Sequence, residues 1–361
     1  MKPYTHQELE QRGLFSSLMS GKPVANAWAE INNILAEAST TKALTADKVQ
    51  AALKRWGAKF NDSTLEQRSG LYRKFADHLY SDAQSPEDEL FAQGTHLAEV
   101  LQLPPHLVKL ADKGAKTAAF YVRCTNLLNE EEPRTIQELN AIFGYDYEDS
   151  LHIRKQAFAD YFNKIFDGIS ARQRYTPAEE ELFLSKCKAI DISFELKNNI
   201  ENALNKYRSI WSAENNEPQP VQVNIPLESG EQCYAYANCG LCEHKMMERE
   251  DNYFELTRKF SIDETVSFKG EKLEQPIIKE EATVMLELGY FFVTNQRIIY
   301  LGQKHSQAVP LQEITSADFD GINIVTYHTK KGDLLFKYSD EAAETMKIIF
   351  TRIHQANVPQ K

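Results

Sequence analysis

A change of hydrophobic period near residue 212 constrains this chain more than any other feature. Upstream, apolar residues recur at helical spacing, as in Leu71, Phe75 and Leu79 and again in Phe158, Phe162 and Phe166. Downstream, β-branched and aromatic runs alternate with turn signals. A helix presents one face about every 3.6 residues and a strand every second residue, so one segment cannot satisfy both patterns. The sequence therefore predicts an α+β protein in two separate parts, all-α tandem helical repeats followed by an antiparallel β module with a closing helix. The joint, Ser212–Gln232, carries three prolines and many polar residues and reads as an extended linker over 212–229.

The helical part contains an internal duplication. The stretch from Val49, VQAALKRWGAKFNDSTLEQRSGLYRKFADHL, lies on that from Ile136, IQELNAIFGYDYEDSLHIRKQAFADYFNKIF, without a gap. Val49 meets Ile136, Trp56 meets Phe143, Gly57 meets Gly144, Phe60 meets Tyr147, Phe75 meets Phe162 and Leu79 meets Phe166. Further on, SPEDELF (Ser85–Phe91) matches TPAEEELF (Thr176–Phe183) with one inserted residue. In each, a hydroxyl residue can cap, proline fits the first turn, and carboxylates favour the positive helix end. Each unit reads as helix, Gly-centred turn, long helix, loop and capped helix, ending near LQLPPHL or IDISFEL. The predicted bounds are 44–128 and 129–211. Residues 1–43, with helical patterns in YTHQELEQRGLFSSLM and ANAWAEINNILAEAS, form an N-terminal helical cap. The cap-and-helix patterns faintly resemble TerB-like proteins and the helical repeats of plastid import proteins, and carry over no function.

In the β module, 230–361, Tyr290–Val293 and Arg297–Leu301 flank the polar turn Thr294-Asn295-Gln296 and predict a hairpin. Lys330, Lys331, Gly332 and Asp333 form a second hairpin turn, and Ala343, Met346, Ile349, Phe350 and Ile353 make one apolar helix stripe. The string GYFFVTNQRIIYLG, the step PLQEI into a strand, the meander and the closing helix resemble the bacterial pleckstrin-homology and GRAM-like domains. Val293, Thr294, Asn295, Arg297, Ile298, Ile299, Leu311 and Ile314 carry the likeness. It implies a strongly bent antiparallel sheet with one end covered by the final helix, and binding of a lipid headgroup or protein rather than catalysis.

Composition narrows the function classes. A net charge of −11 over 361 residues argues against nucleic acid, because phosphate neutralisation needs a concentrated basic surface. No apolar run approaches the roughly 20 residues of a membrane span, the N-terminus lacks the apolar core of a signal peptide, and a cytoplasmic location is expected. Five unevenly spaced cysteines do not form a disulfide framework. Cys233, Cys239, Cys242 and His244 have the residue types of a tetrahedral zinc site. The other reading of CYAYANCGLCEHK is a buried strand in which cysteines pack as small hydrophobes, which the family resemblance favours, and no other cofactor is called for. Common hydrolase, phosphate-loop and dinucleotide signatures are absent. Arg297, Lys304, His305, Lys330 and Lys331 lie in or beside strands and turns and are candidates for an anionic ligand. The aromatic wealth of the repeats, from Trp56 and Tyr72 to Phe158 and Phe162, supplies core and leaves room for a partner groove. The expected function is a non-catalytic interaction or adaptor protein that binds a protein partner through the repeats and the β module. The alternatives are a peripheral membrane adaptor that binds anionic lipid and an enzyme with a zinc site.

Overall fold

The computed structural model describes residues 3–10, 23–81, 88–250, 277–339 and 341–358. By contact the chain divides into two compact units, Met1–Gly168 with Ala178–Glu195, and Ile169–Pro177 with Leu196–Lys361. The architecture is α+β in two parts: helices first, then a seven-stranded antiparallel sheet and a final helix.

The helices are α1 (Ala25–Glu37), α2 (Ala46–Trp56), α3 (Leu65–Leu79), α4 (Asp88–Val100), α5 (Pro105–Leu128), α6 (Ile136–Phe143), α7 (Tyr147–Arg172), α8 (Pro177–Ala189) and α9 (Asn198–Asn215). Local chemistry explains their ends. Thr45 caps α2 through the Lys48 N–H, and Thr135 caps α6 through the Glu138 N–H. Both helices stop on a glycine in the left-handed region, Gly57 at φ 70° and Gly144 at φ 57°, a conformation a β-carbon would oppose. The next residue then bonds back across the turn, Ala58 to Leu53 and Tyr145 to Asn140. Val49, Ala52, Leu71, Phe75, Leu97 and Leu101 close the core of the first repeat around Ile31 and Leu44. Fully burying one such side chain contributes about 1.5–3 kcal/mol.

Helix is expected over the N-terminal segment from Tyr4, yet residues 4–10 carry no helix. They lie along α1, where Asn33 exchanges two hydrogen bonds with the backbone of Gln7 and Asn26 two with that of Glu10. Those backbone groups are satisfied by side chains about two turns apart on one face of α1, so the segment needs no helix of its own. The Ser85 cap lies outside the described residues.

The duplication has a structural signature that the residue alignment does not show. Arg68 of α3 donates to the carbonyls of Leu101 and Gln102 at the end of α4 and to that of Asn61. Arg154 of α7 donates to the carbonyls of Ile190 and Asp191 at the end of α8 and to that of Tyr147. Gln102 and Asp191 both have positive φ, 49° and 51°. The guanidinium of Arg68 lies over the Phe60 ring and that of Arg154 over the Tyr147 ring. Helix C-terminal carbonyls lack intrahelical partners, and a buried guanidinium fork can serve several at once. Counted from this clamp, Gly94 takes the place of Phe183, about one helical turn from the capping-sequence alignment, which pairs Phe91 with Phe183.

In the second unit the strands are β1 (Cys233–Glu250), β2 (Ile277–Thr294), β3 (Arg297–Gly302), β4 (Ser306–Pro310), β5 (Ile314–Phe319), β6 (Ile324–Thr329) and β7 (Gly332–Tyr338), followed by α10 (Ala343–Asn357). The sheet order is β4-β3-β2-β1-β7-β6-β5, every pair antiparallel. Alternation sends Ala235, Cys239, Phe291, Val293, Ile298 and Tyr300 inward, where they meet Val325, Tyr327, Phe336 and Tyr338. The α10 stripe, Ala343, Met346, Phe350 and Ile353, seals that core. The sequence assigns residues 198–211 to the second repeat, but α9 groups with the sheet unit. Arg352 of α10 donates to the carbonyls of Ala213 and Asn216 at the end of α9, and Arg174 bridges Glu214 and Glu344. The expected tether is accordingly shorter: helix continues through Asn215, and Val223 and Ile225 pack on Cys233, Phe292 and Ile299.

Removing a clamp strands buried carbonyls. Arg154→Ala is expected to lower the stability of the helical unit by about 3 kcal/mol, and Arg154→Lys to restore less than half of it, because an ammonium lacks the planar fork. Urea unfolding followed by tryptophan fluorescence and circular dichroism measures both; equal stability of the three proteins would refute the clamp.

Candidate binding surfaces

The basic residues singled out in the sequence do not converge on one free cationic site. Arg297, at the start of β3, forms a two-bond fork with Glu231, at 2.9 and 3.0 Å, and pairs with Glu228 at 2.8 Å. The Glu231 side chain is fully buried. Burial alone would push its carboxyl up, but Arg297, the Glu228 N–H and the Thr294 hydroxyl outweigh it and hold the group below its ordinary 4.5. Thr294 also accepts the N–H groups of Gln296 and Arg297, while the side chains of Asn295 and Gln296 bond the backbone of Ser229, Gly230 and Gln232, so the VTNQR turn is tied to itself and to the segment before β1. Lys304 and His305 occupy the β3–β4 turn, where their backbone N–H groups and the His305 ring hold Glu287. Lys331 pairs with Glu313 at 3.0 Å, and Lys330 is exposed beside it in the β6–β7 turn.

Cys233, Cys239, Cys242 and His244 all lie on β1. The sulfur of Cys239 belongs to the inner core, whereas Cys233 packs on the opposite face with Phe292 and Ile299. Three residues along a strand span roughly 10 Å, too far for Cys239 and Cys242 to bring their sulfurs to one ion. No group of three or more His, Cys, Asp or Glu able to hold a metal occurs among the described residues. Burial pushes the Cys239 thiol up to about 12, which disfavours the thiolate that zinc requires.

Two features escape a reading of the sequence alone. His328 of β6 sits between two carboxylates, its Nδ1 2.9 Å from Asp333 and its Nε2 2.9 Å from Asp318. The Lys330-Lys331 turn sets His328 opposite Asp333, a pairing that turn symmetry could have given, but Asp318 depends on the bulge between Ile314 and Ser316. Its hydrogen bonds to Asp333 and then Asp318 raise the imidazole above its ordinary 6.5.

The second feature is an open apolar face. Segment 221–225 covers Phe292 and Ile299 on the side of the sheet away from α10, and beyond it Tyr236, Leu288 and Tyr290 are 55%, 68% and 54% exposed. Asn238 opposite Tyr290 and Gly240 opposite Leu288 place these residues on one side of the β1–β2 pair. Met285 bends over Gly240, where a β-carbon would collide with its sulfur, and Met246 continues the row along β1. A groove of about 370 Å³ also opens in the helical unit between α3, α4 and α5.

Both ionic clusters give pH signatures. Glu231, held low, contributes stability that is complete above its unfolded value and is lost as pH falls through its folded value. Glu231→Gln is expected to cost the sheet unit about 3 kcal/mol at neutral pH and to flatten its acid denaturation curve; an unchanged curve in thermal melts at pH 3–7 would contradict this. His328, held high, contributes stability that is present below its unfolded value and fades as pH rises through its folded one. Its ring protons should titrate above 6.5 by NMR, and further toward the ordinary value in Asp318→Asn and Asp333→Asn. No protein-family model matches the chain, and no curated protein matches its sequence.

Proposed function

We propose that this chain is a non-catalytic interaction protein, an adaptor that holds a protein partner on the outer face of its β module and offers a second contact on its helical repeats. The observation that carries the reading is the exposed row of Tyr236, Met285, Leu288 and Tyr290. Exposed aromatic and methionine side chains in one contiguous patch are the mark of an interaction surface, since isolated ones are common and clusters are not.

The pleckstrin-homology and GRAM-like resemblance belongs to this proposal. Its support is the single antiparallel sheet of seven strands with α10 packed against one face of it, together with the tightly bonded turn at Thr294–Arg297. A cytoplasmic setting fits five unpaired cysteines. Among the described residues no helix is long and apolar enough to cross a membrane.

A protein is favoured over an anionic membrane as the partner. Arg297 and Lys331 are engaged by Glu231, Glu228 and Glu313, and the whole chain carries −11. A lipid phosphate would have to displace these carboxylates and overcome the long-range repulsion. The zinc-enzyme reading is weaker still, because its ligands are divided between two faces of one strand.

The test is affinity capture with the full chain and with Leu288→Glu/Tyr290→Glu, two exposed positions whose exchange should leave the melting temperature within about 3 °C. Partners retained by the wild type should be lost from the double variant, and neither protein should pellet with vesicles containing phosphatidylserine. Equal capture by both proteins, or pelleting that Lys330→Glu/Lys331→Glu abolishes, would overturn the reading.

A further inference from the structure

The groove of the helical unit lies where the two repeats coincide in frame but differ in filling. Leu101 and Gln102 correspond through the clamp to Ile190 and Asp191, and the backbone repeats with them, Leu103 bonding to Ala98 as Ile192 bonds to Cys187. In that frame Gly94 stands where the second repeat has Phe183; past Leu103 the two backbones part, since α5 begins at Pro105 whereas Phe194, at the same count, lies before α9.

In the second repeat those two phenylalanines fill the space beside the long helix. Phe183 lies 4.8 Å and Phe194 5.2 Å from Phe162, ring centre to ring centre, and Phe194 lies 4.6 Å from Phe158. In the first repeat Tyr72 and Phe75 also belong to the long helix, but Gly94 supplies no aromatic ring beside Tyr72 and helix α5 starts at Pro105, where the second repeat still runs without helix through Phe194. A groove of about 370 Å³ remains, walled by Tyr72, Gly94, Ala98, Leu103 and Val108. That volume falls within the roughly 300–1,000 Å³ of ordinary ligand clefts. Phe91 stands 45% exposed at its rim.

The charges in the groove are Asp112 and Glu99 against Lys109. Asp112 is half-buried and accepts a hydrogen bond from the Tyr72 hydroxyl at 3.0 Å. Burial raises its carboxyl, so a cation beside it would be drawn in.

We infer that the groove is a docking site for an aromatic side chain of a partner protein, presented next to a basic residue: the first repeat takes from a partner the ring that the second repeat supplies to itself. This rests on the reading of the chain as an interaction protein and adds the chemistry of what the repeats bind. The aromatic ring takes the place of Phe183 between Tyr72, Ala98 and Leu103, and the basic group meets Asp112 and Glu99.

The probe is N-acetyl-Phe-Arg-amide, titrated into the full chain labelled at alanine, leucine and valine methyl groups and followed by NMR. Saturable shifts are expected at Ala98, Leu103 and Val108. N-acetyl-Phe-Glu-amide and N-acetyl-Ala-Arg-amide should bind at least about fivefold more weakly. Gly94→Phe fills the space, but a β-carbon there would lie 3.1 Å from the Phe75 ring. Ala98→Phe is therefore the second blocking variant, and binding should vanish in both. Asp112→Asn should remove the preference for Arg over Glu while leaving the site open. Absence of saturable shifts at these methyl groups, or shifts that neither filled variant abolishes, would overturn the proposal. If the groove fails while Leu288→Glu/Tyr290→Glu still loses its captured partners, the interaction reading stands and only the groove falls.

Discussion

Three helices of this chain end on carbonyls that an arginine from another helix holds: Arg68 on α4, Arg154 on α8 and Arg352 on α9. An α-helix leaves its last carbonyls without partners, and their summed dipole is negative. A guanidinium answers both needs, because it is permanently charged and carries several donors in a rigid plane. Burying it is tolerable because its terminal NH groups find oxygens and the ring of Phe60 or Tyr147 covers its face, although the Nε of Arg68 and of Arg154 is left without a partner. The arginine therefore fixes where one helix stops relative to another. Gln102 and Asp191 can then turn through the left-handed region, which favours glycine, with their carbonyls already engaged.

The sheet unit relies on a related device with the signs distributed differently. Glu231, buried before β1, ties the β2–β3 turn through Arg297 and Thr294. Arg297 is thereby held in the fold, whereas Lys330 and Lys331 stay exposed at the β6–β7 turn. Apolar side chains are open on the same unit at Tyr236, Leu288 and Tyr290. The helical unit presents the complementary case: its open groove pairs an aromatic wall with carboxylates.

Much of the architecture was legible because it is local. The left-handed stops at Gly57 and Gly144, the threonine cap at Thr135, the hairpin turns at Asn295-Gln296 and Lys330-Lys331, and the stripe from Ala343 to Ile353 all follow from residues within a few positions of one another. Where distant residues decide, local reading failed. Residues from Tyr4 have a helical pattern but are held extended by Asn26 and Asn33. Helix α9 looks like the end of a repeat but is pinned by Arg352 and Arg174 to elements far along the chain. The cysteines of β1 share a short sequence, yet the register shift between Cys233 and Ala235 sends Cys233 and Cys239, which pleating alone would place together, to opposite faces. The ion pair of Arg297 with Glu231, 66 positions away, has no local sequence signal either.

By itself the sequence determined the division into a helical and a β part and the closing helix, because period, caps and turns act over a few residues. Only the tertiary structure decided which polar groups are consumed and which surfaces stay open. Arg297 reads in the sequence as a candidate for an anionic ligand and Arg68 and Arg154 stand in no motif there, yet the first is held by a buried carboxylate and the other two by backbone carbonyls; the groove between α3, α4 and α5 opens where Gly94 has the place of Phe183. Those outcomes depend on residues tens of positions apart meeting in space, and pairwise distance of that kind is not encoded in any local pattern.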